Sequence, residues 1–117
     1  MTELQLAKEI VKILDKKKAI DIRVLEISEH SIVADYFVIV SGTSNTHVKA
    51  LADEVDYELG LKDIKPYHIE GKATGWILLD YNSVLVHIFT GETRDYYNLE
   101  RLWQDADYLD VDKFLAE

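Results

Sequence analysis

The chain has no cysteine, one proline and five glycines among 117 residues. Without thiols there are no disulfides, thiolate metal sites or cysteine nucleophiles, and a reducing compartment fits that composition. One proline leaves no extended proline-rich linker. No apolar run approaches the ~20 residues that a membrane-spanning helix needs. The opening Met1-Thr2-Glu3-Leu4-Gln5 lacks the basic-then-apolar order of a secretory signal. The expectation is a soluble cytoplasmic protein without a membrane partner.

Basic clusters are scarce too. The net charge is -9, from 22 acidic and 13 basic residues. Lys16-Lys17-Lys18 is the one basic run, and it follows a predicted helix, where cations offset the C-terminal dipole. Nucleic-acid binders neutralise phosphates with clustered Lys and Arg, so this composition argues against direct, sequence-specific nucleic-acid binding. A basic protein is the better-matched partner.

What is present suits one compact domain over residues 1–117, with a hydrophobic fraction of 48%. Residues 2–15 predict an amphipathic helix: Thr2 and Gln5 have capping-box spacing, and Leu6, Ala7, Ile10, Ile13 and Leu14 form the apolar stripe. Residues 21–27 predict a strand, with Ile22 and Val24 on one side and Leu25 and Ile27 on the other. The continuous run at 36–40 predicts a central strand covered on both faces. A turn at 41–45 supplies caps for a second helix, whose buried face is Val48, Leu51, Ala52, Val55 and Leu59 and whose stop is Gly60. A short strand at 67–70, a loop at 71–75 and strands at 76–81 and 84–90 follow. Residues 91–103 read as turn and short helix, and 105–117 as an acidic, partly helical tail. The class is α/β (α+β): a mixed five-stranded sheet with flanking helices.

Only Asn82-Ser83 separates the last two strands, which predicts an antiparallel hairpin. Side-chain alternation puts Ile77, Leu79, Tyr81, Val84, Val86 and Ile88 on one face, expected to point to the core. The other face carries Trp76, Leu78, Asp80, Leu85, His87 and Phe89. Tryptophan, leucine and a carboxylate together suit an interface. A helix covering this face, with Trp76 as a core residue, is the competing reading.

The sequence spacing supports no serine-histidine or paired-carboxylate arrangement. Gly42-Thr43-Ser44, after a buried strand and before a helix, can in principle cradle a phosphate, and it is faintly similar to the Gly-Ser turn of nucleotidyltransferases. Such enzymes also need paired carboxylates on a following strand to hold magnesium, whereas Asp53, Glu54 and Asp56 fall within the predicted second helix. Helix capping explains the turn better. His30, His47, His68 and His87 show no helical metal-ligand spacing, and each is expected to be exposed or satisfied. His68 and Glu70 can share one side of a strand but make no site alone. The expectation is no catalytic, metal or cofactor site; a nucleotide-binding enzyme using the Gly42 turn and a dimeric scaffold remain as alternatives.

Three segments carry a family resemblance: Ala34-Asp35-Tyr36-Phe37-Val38-Ile39-Val40-Ser41-Gly42-Thr43-Ser44 with His47 to Val55 after it; Gly75-Trp76-Ile77-Leu78-Leu79-Asp80-Tyr81 with Val84-Leu85-Val86-His87-Ile88-Phe89; and Arg94-Asp95-Tyr96-Tyr97-Asn98-Leu99-Glu100-Arg101-Leu102-Trp103. In order and spacing the chain resembles the ribosomal silencing factors (Iojap-like, RsfS). The resemblance implies a nucleotidyltransferase-like fold without the catalytic carboxylates. It implies binding to ribosomal protein L-fourteen on the large subunit, which blocks subunit joining and represses translation, and homodimers when free. It places the partner-binding residues on the hairpin: Trp76 as anchor, with Leu78, Asp80 and Tyr81 beside it. The turn departs from the family's usual Gly-Asp, and Ser83 is a poor choice if it must take a positive φ.

Overall fold

The computed structural model describes residues 1–71 and 75–117. The predicted loop at 71–75 therefore lies largely outside the described residues. The first helix, α1 (Glu3–Lys16), starts at a complete capping box: Thr2 accepts from the Gln5 amide, and Gln5 reaches back to the Thr2 amide. Its stripe is buried as expected, with Val11 added. Strand β1 (Ile20–Glu26) runs antiparallel to β2 (Tyr36–Gly42), and helix α2 (Asn45–Gly60) follows. Then come β3 (His68–Glu70), β4 (Trp76–Asp80) and β5 (Val84–Thr90), helices α3 (Gly91–Tyr97) and α4 (Leu99–Leu102), strand β6 (Asp107–Leu109) and helix α5 (Val111–Ala116).

Among the described residues, the sheet has six strands in the order β3-β4-β5-β2-β1-β6, one more than expected. The correction is β6, inside the segment read as an acidic tail. It spans three residues, two of them exposed, and pairs antiparallel with β1 through its backbone. With no apolar alternation, its sequence carries little strand signal. Among the described residues, only β2 and β5 pair in parallel.

The two faces of the sheet are packed differently. One bears the larger core, where α1 and α2 bury Leu14, Leu51, Val55 and Leu59 against Val38, Val40, Leu79, Val86 and Ile88. The other bears a smaller cluster of Leu25, Ile27, Phe37, Ile39 and Phe89, closed over by Leu99, Trp103 and Ala106. Every side chain from Phe37 to Val40 is buried, as befits a central strand.

Among the described residues, no helix is long and apolar enough to cross a membrane.

Candidate functional site: the hairpin face

The β4–β5 register is the one alternation predicts, Ile77 opposite Ile88 and Leu79 opposite Val86. A hydrogen bond of 3.0 Å from the Tyr81 amide to the Val84 carbonyl closes the hairpin. In the turn, Asn82 alone takes a positive φ, 71°. Ser83 escapes the left-handed region that made it a doubtful turn residue, and asparagine tolerates that region better than most residues. The Asp80 carboxylate accepts from the Asn82 amide at 2.7 Å and holds the tip.

The inner hairpin face is buried throughout, Tyr81 included at 5% exposure. Its hydroxyl has no hydrogen-bond partner among the described residues. Burial, then the nearby Asp56 charge, raises the phenol's pKa. Tyr81 therefore offers no side chain to a partner in this conformation. Of the four residues assigned to partner binding, the structure brings Trp76, Leu78 and Asp80 together on the outer face and turns Tyr81 inward.

That outer face is mixed, but not as open as expected. Trp76, Leu78, Asp80 and Leu85 are half-buried, whereas His87 (5%) and Phe89 (0%) are buried. The reason is the chain after β5. Tyr97 of α3 lies over Trp76 with ring centroids 4.6 Å apart, and Trp76 stacks on Phe89 at 5.0 Å. Trp103 closes edge-on over Phe37 at 5.2 Å, and Phe37 meets His87 at 4.7 Å. Among the described residues, Leu78 joins neither core cluster. It lies opposite Glu70 and His87, and Asp80 lies opposite His68 and Leu85.

His87 corrects an expectation, being neither exposed nor fully satisfied. Its Nδ1 accepts the Trp76 indole N–H at 3.2 Å, and its Nε2 is buried without a partner among the described residues. Burial pushes its pKa down to about 4. The sequence placed His87 on the Trp76 face but gave no sign of its depth, because the cover comes from α3 and the segment around Trp103.

The Gly42 turn acts as a helix cap. Ser44 accepts from the His47 amide at 3.1 Å, and the Thr43 amide donates to His47 Nδ1 at 2.9 Å. His47 Nε2 bonds the Lys17 carbonyl at 2.9 Å. A Cβ on Gly42 would lie 3.0 Å from the Val48 amide nitrogen, so glycine lets α2 start against the strand end. At the carboxyl ends of β2 and β5 lies a cleft of about 460 Å³ lined by Ser41, Asp95 and Glu100 around Arg94. Ligands favour such strand ends in α/β sheets. Here the guanidinium is already committed: Nε and Nη2 bond Glu100, and Nη1 bonds the Asp21 carbonyl and the Ser41 hydroxyl. Asp53 and Glu54 lie in α2, paired with Lys49 and Lys17.

These observations define a mixed-sheet α/β domain with a half-open aromatic and acidic patch at one side of the sheet. The family described as ribosomal silencing factor during starvation (RsfS) matches residues 1–117, and the chain belongs to that family. It is 41% identical over 110 residues to the ribosomal silencing factor RsfS of Bacillus subtilis, covering 90% of this chain and 93% of that one. A mouse protein named mitochondrial assembly of ribosomal large subunit protein 1 is 40% identical over 101 residues, 80% of this chain but 43% of the relative. A crystal structure of a Chromobacterium violaceum protein superposes with a TM-score of 0.86 at 31% identity, covering 89% of this chain and 88% of that chain.

Proposed function

We propose that this chain binds the large ribosomal subunit through ribosomal protein L-fourteen, by the outer face of the β4–β5 hairpin, and thereby blocks joining of the small subunit in the cytoplasm. The observation that carries the reading is Leu78, an apolar side chain beside Trp76 and Asp80 that, among the described residues, packs into neither core cluster. An anchor of tryptophan and leucine rimmed by a carboxylate is the anatomy of a protein interface. A net charge of -9 favours a basic protein and disfavours the surrounding RNA phosphates. The molecule measures 33 × 33 × 28 Å, too large to lie within a close-packed bridge between subunits. Steric occlusion of this kind needs affinity and no chemistry. Family membership and the mouse relative's name add support for the large subunit as target.

The test is sedimentation of purified protein with isolated large and small subunits, with Trp76→Ala alongside. The expected result is binding to large subunits only, reduced roughly 30- to 1,000-fold by the substitution, the range for loss of a central anchor. Thermal unfolding of the same preparation checks that the variant is folded. A folded variant that binds at wild-type strength would sink the assignment of Trp76.

A further inference from the structure

We propose that His87 is a positioning residue for docking: its Nδ1 takes the Trp76 indole N–H and sets the orientation of the anchor before the partner arrives. The inference rests on the docking reading above.

Trp76 lies opposite Phe89 in the register and Leu78 opposite His87, so Trp76 and His87 are diagonal neighbours on one face. The indole is flanked by two aromatic rings, Phe89 at 5.0 Å and Tyr97 at 4.6 Å. Stacking holds a ring's plane but discriminates weakly between its edges. A directional bond of 3.2 Å from the indole N–H to Nδ1 does discriminate. Indole offers one donor and no acceptor, so Nδ1 must be the unprotonated nitrogen and the ring proton resides on Nε2.

That arrangement is costly to the fold. Nε2 is buried without a partner among the described residues, and an orphaned polar group destabilises relative to an apolar one of similar shape. Phe37 and Phe89 surround the same space, so a phenylalanine or leucine would suit packing better than histidine. Stability therefore does not account for the residue, whereas an acceptor for Trp76 does. At 5% exposure His87 is too deep to be an anchor itself. Burial also keeps the imidazole neutral near pH 7, so the acceptor lone pair is available there. An anchor already fixed in one rotamer loses less freedom on binding.

Three substitutions at His87 separate positioning from packing. His87→Leu removes the acceptor, and His87→Phe does so with a ring if leucine is not tolerated. His87→Asn returns an oxygen close to the place of Nδ1. Three quantities are read: the Trp76 indole N–H resonance and its exchange in the free protein (assigned by its disappearance in Trp76→Phe), the urea unfolding midpoint at pH 7, and affinity for large subunits. The expected result for His87→Leu is a shifted, faster-exchanging indole proton, an unfolding midpoint at or above wild type, and affinity roughly 3- to 10-fold weaker, the scale of one side chain losing its preorganisation. His87→Asn restores both resonance and affinity. Wild-type affinity in His87→Leu, or affinity in His87→Asn no better than in His87→Leu, overturns the positioning role. Affinity loss that merely tracks loss of stability does so as well. Equal binding by wild type and folded Trp76→Ala overturns the docking reading itself, a result distinct from these.

Discussion

Arg94 and Glu100 form a two-point ion pair across the α3–α4 junction, Nε to Oε1 at 3.1 Å and Nη2 to Oε2 at 3.2 Å. The same guanidinium ties this junction to the sheet through Ser41 and the Asp21 carbonyl, 3.0 and 2.8 Å away. Between them Asn98 takes a left-handed conformation, φ 45°, which ends α3 and turns the chain into α4. The pair thus fastens the segment that carries Tyr97, Leu99 and Trp103 over the smaller core. Arg94→Met should lower the unfolding free energy by about 2–3 kcal/mol, below most of the ~3–5 kcal/mol range for breaking a fully buried pair because the Glu100 side chain is 25% exposed. Urea unfolding measures it. A midpoint unchanged from wild type would mean the junction is held by packing alone.

Gly75 sets the entry to β4. Its φ is +76°, and a Cβ there would lie 3.1 Å from the Thr93 methyl and 3.4 Å from the Asn45 and Thr90 side chains. Its carbonyl accepts from the Thr90 amide at 2.9 Å and the Thr93 hydroxyl at 2.6 Å, joining the start of β4 to the start of α3. Gly75→Ala combines left-handed strain with crowding, and should cost about 1–2 kcal/mol. Because Trp76 is the next residue, near-ultraviolet circular dichroism should change with stability. Wild-type stability would show that this backbone can relax without loss.

Most of the frame was readable because period and composition agreed. The stripe of α2 and both hairpin faces follow from side-chain alternation or the 3.6-residue repeat, and the β4–β5 register from a two-residue turn. Strand β6 was not readable, since its pairing is a backbone matter and its side chains are mostly solvated. The outer hairpin face was legible in membership but not in depth. Trp76, Leu78 and Asp80 do share a face, and alternation alone already put Tyr81 inside, against the role the family resemblance suggested for it. The burial of His87 and Phe89 depends on residues eight or more positions along the chain, in the segment held by Asn98 and Arg94. Local patterns do not encode such a return.

Asp80 combines two roles that one substitution can separate. Its carboxylate accepts from the Asn82 amide, and its charge sits at the rim of the proposed interface. Asp80→Asn keeps an acceptor for the turn and removes the charge. Binding to large subunits should weaken by about 2- to 5-fold at low salt, the scale of one exposed charge pair, and the gap should close as ionic strength rises. Asp80→Lys should weaken binding further. Co-sedimentation across a salt series reads this, and a salt-independent difference between wild type and Asp80→Asn would remove the electrostatic part of the docking argument.

Acid should act on the fold through His87. Burial holds its folded pKa at about 4, against an ordinary value near 6.5. Between those values the unfolded chain takes a proton that the folded protein refuses, so unfolding is favoured as pH falls. The stabilisation from this group is complete above about pH 6.5 and is lost progressively toward pH 4, at up to about 1.4 kcal/mol per pH unit. Carboxylates titrate over part of the same range, but they are common to wild type and His87→Asn and cancel in the difference. The stability of wild type relative to His87→Asn should therefore fall by roughly 2–3 kcal/mol between pH 7.5 and pH 4.5. Urea unfolding of both proteins at several pH values gives the comparison. A difference that stays constant across that window would mean His87 is as easily protonated in the folded protein as in the unfolded chain.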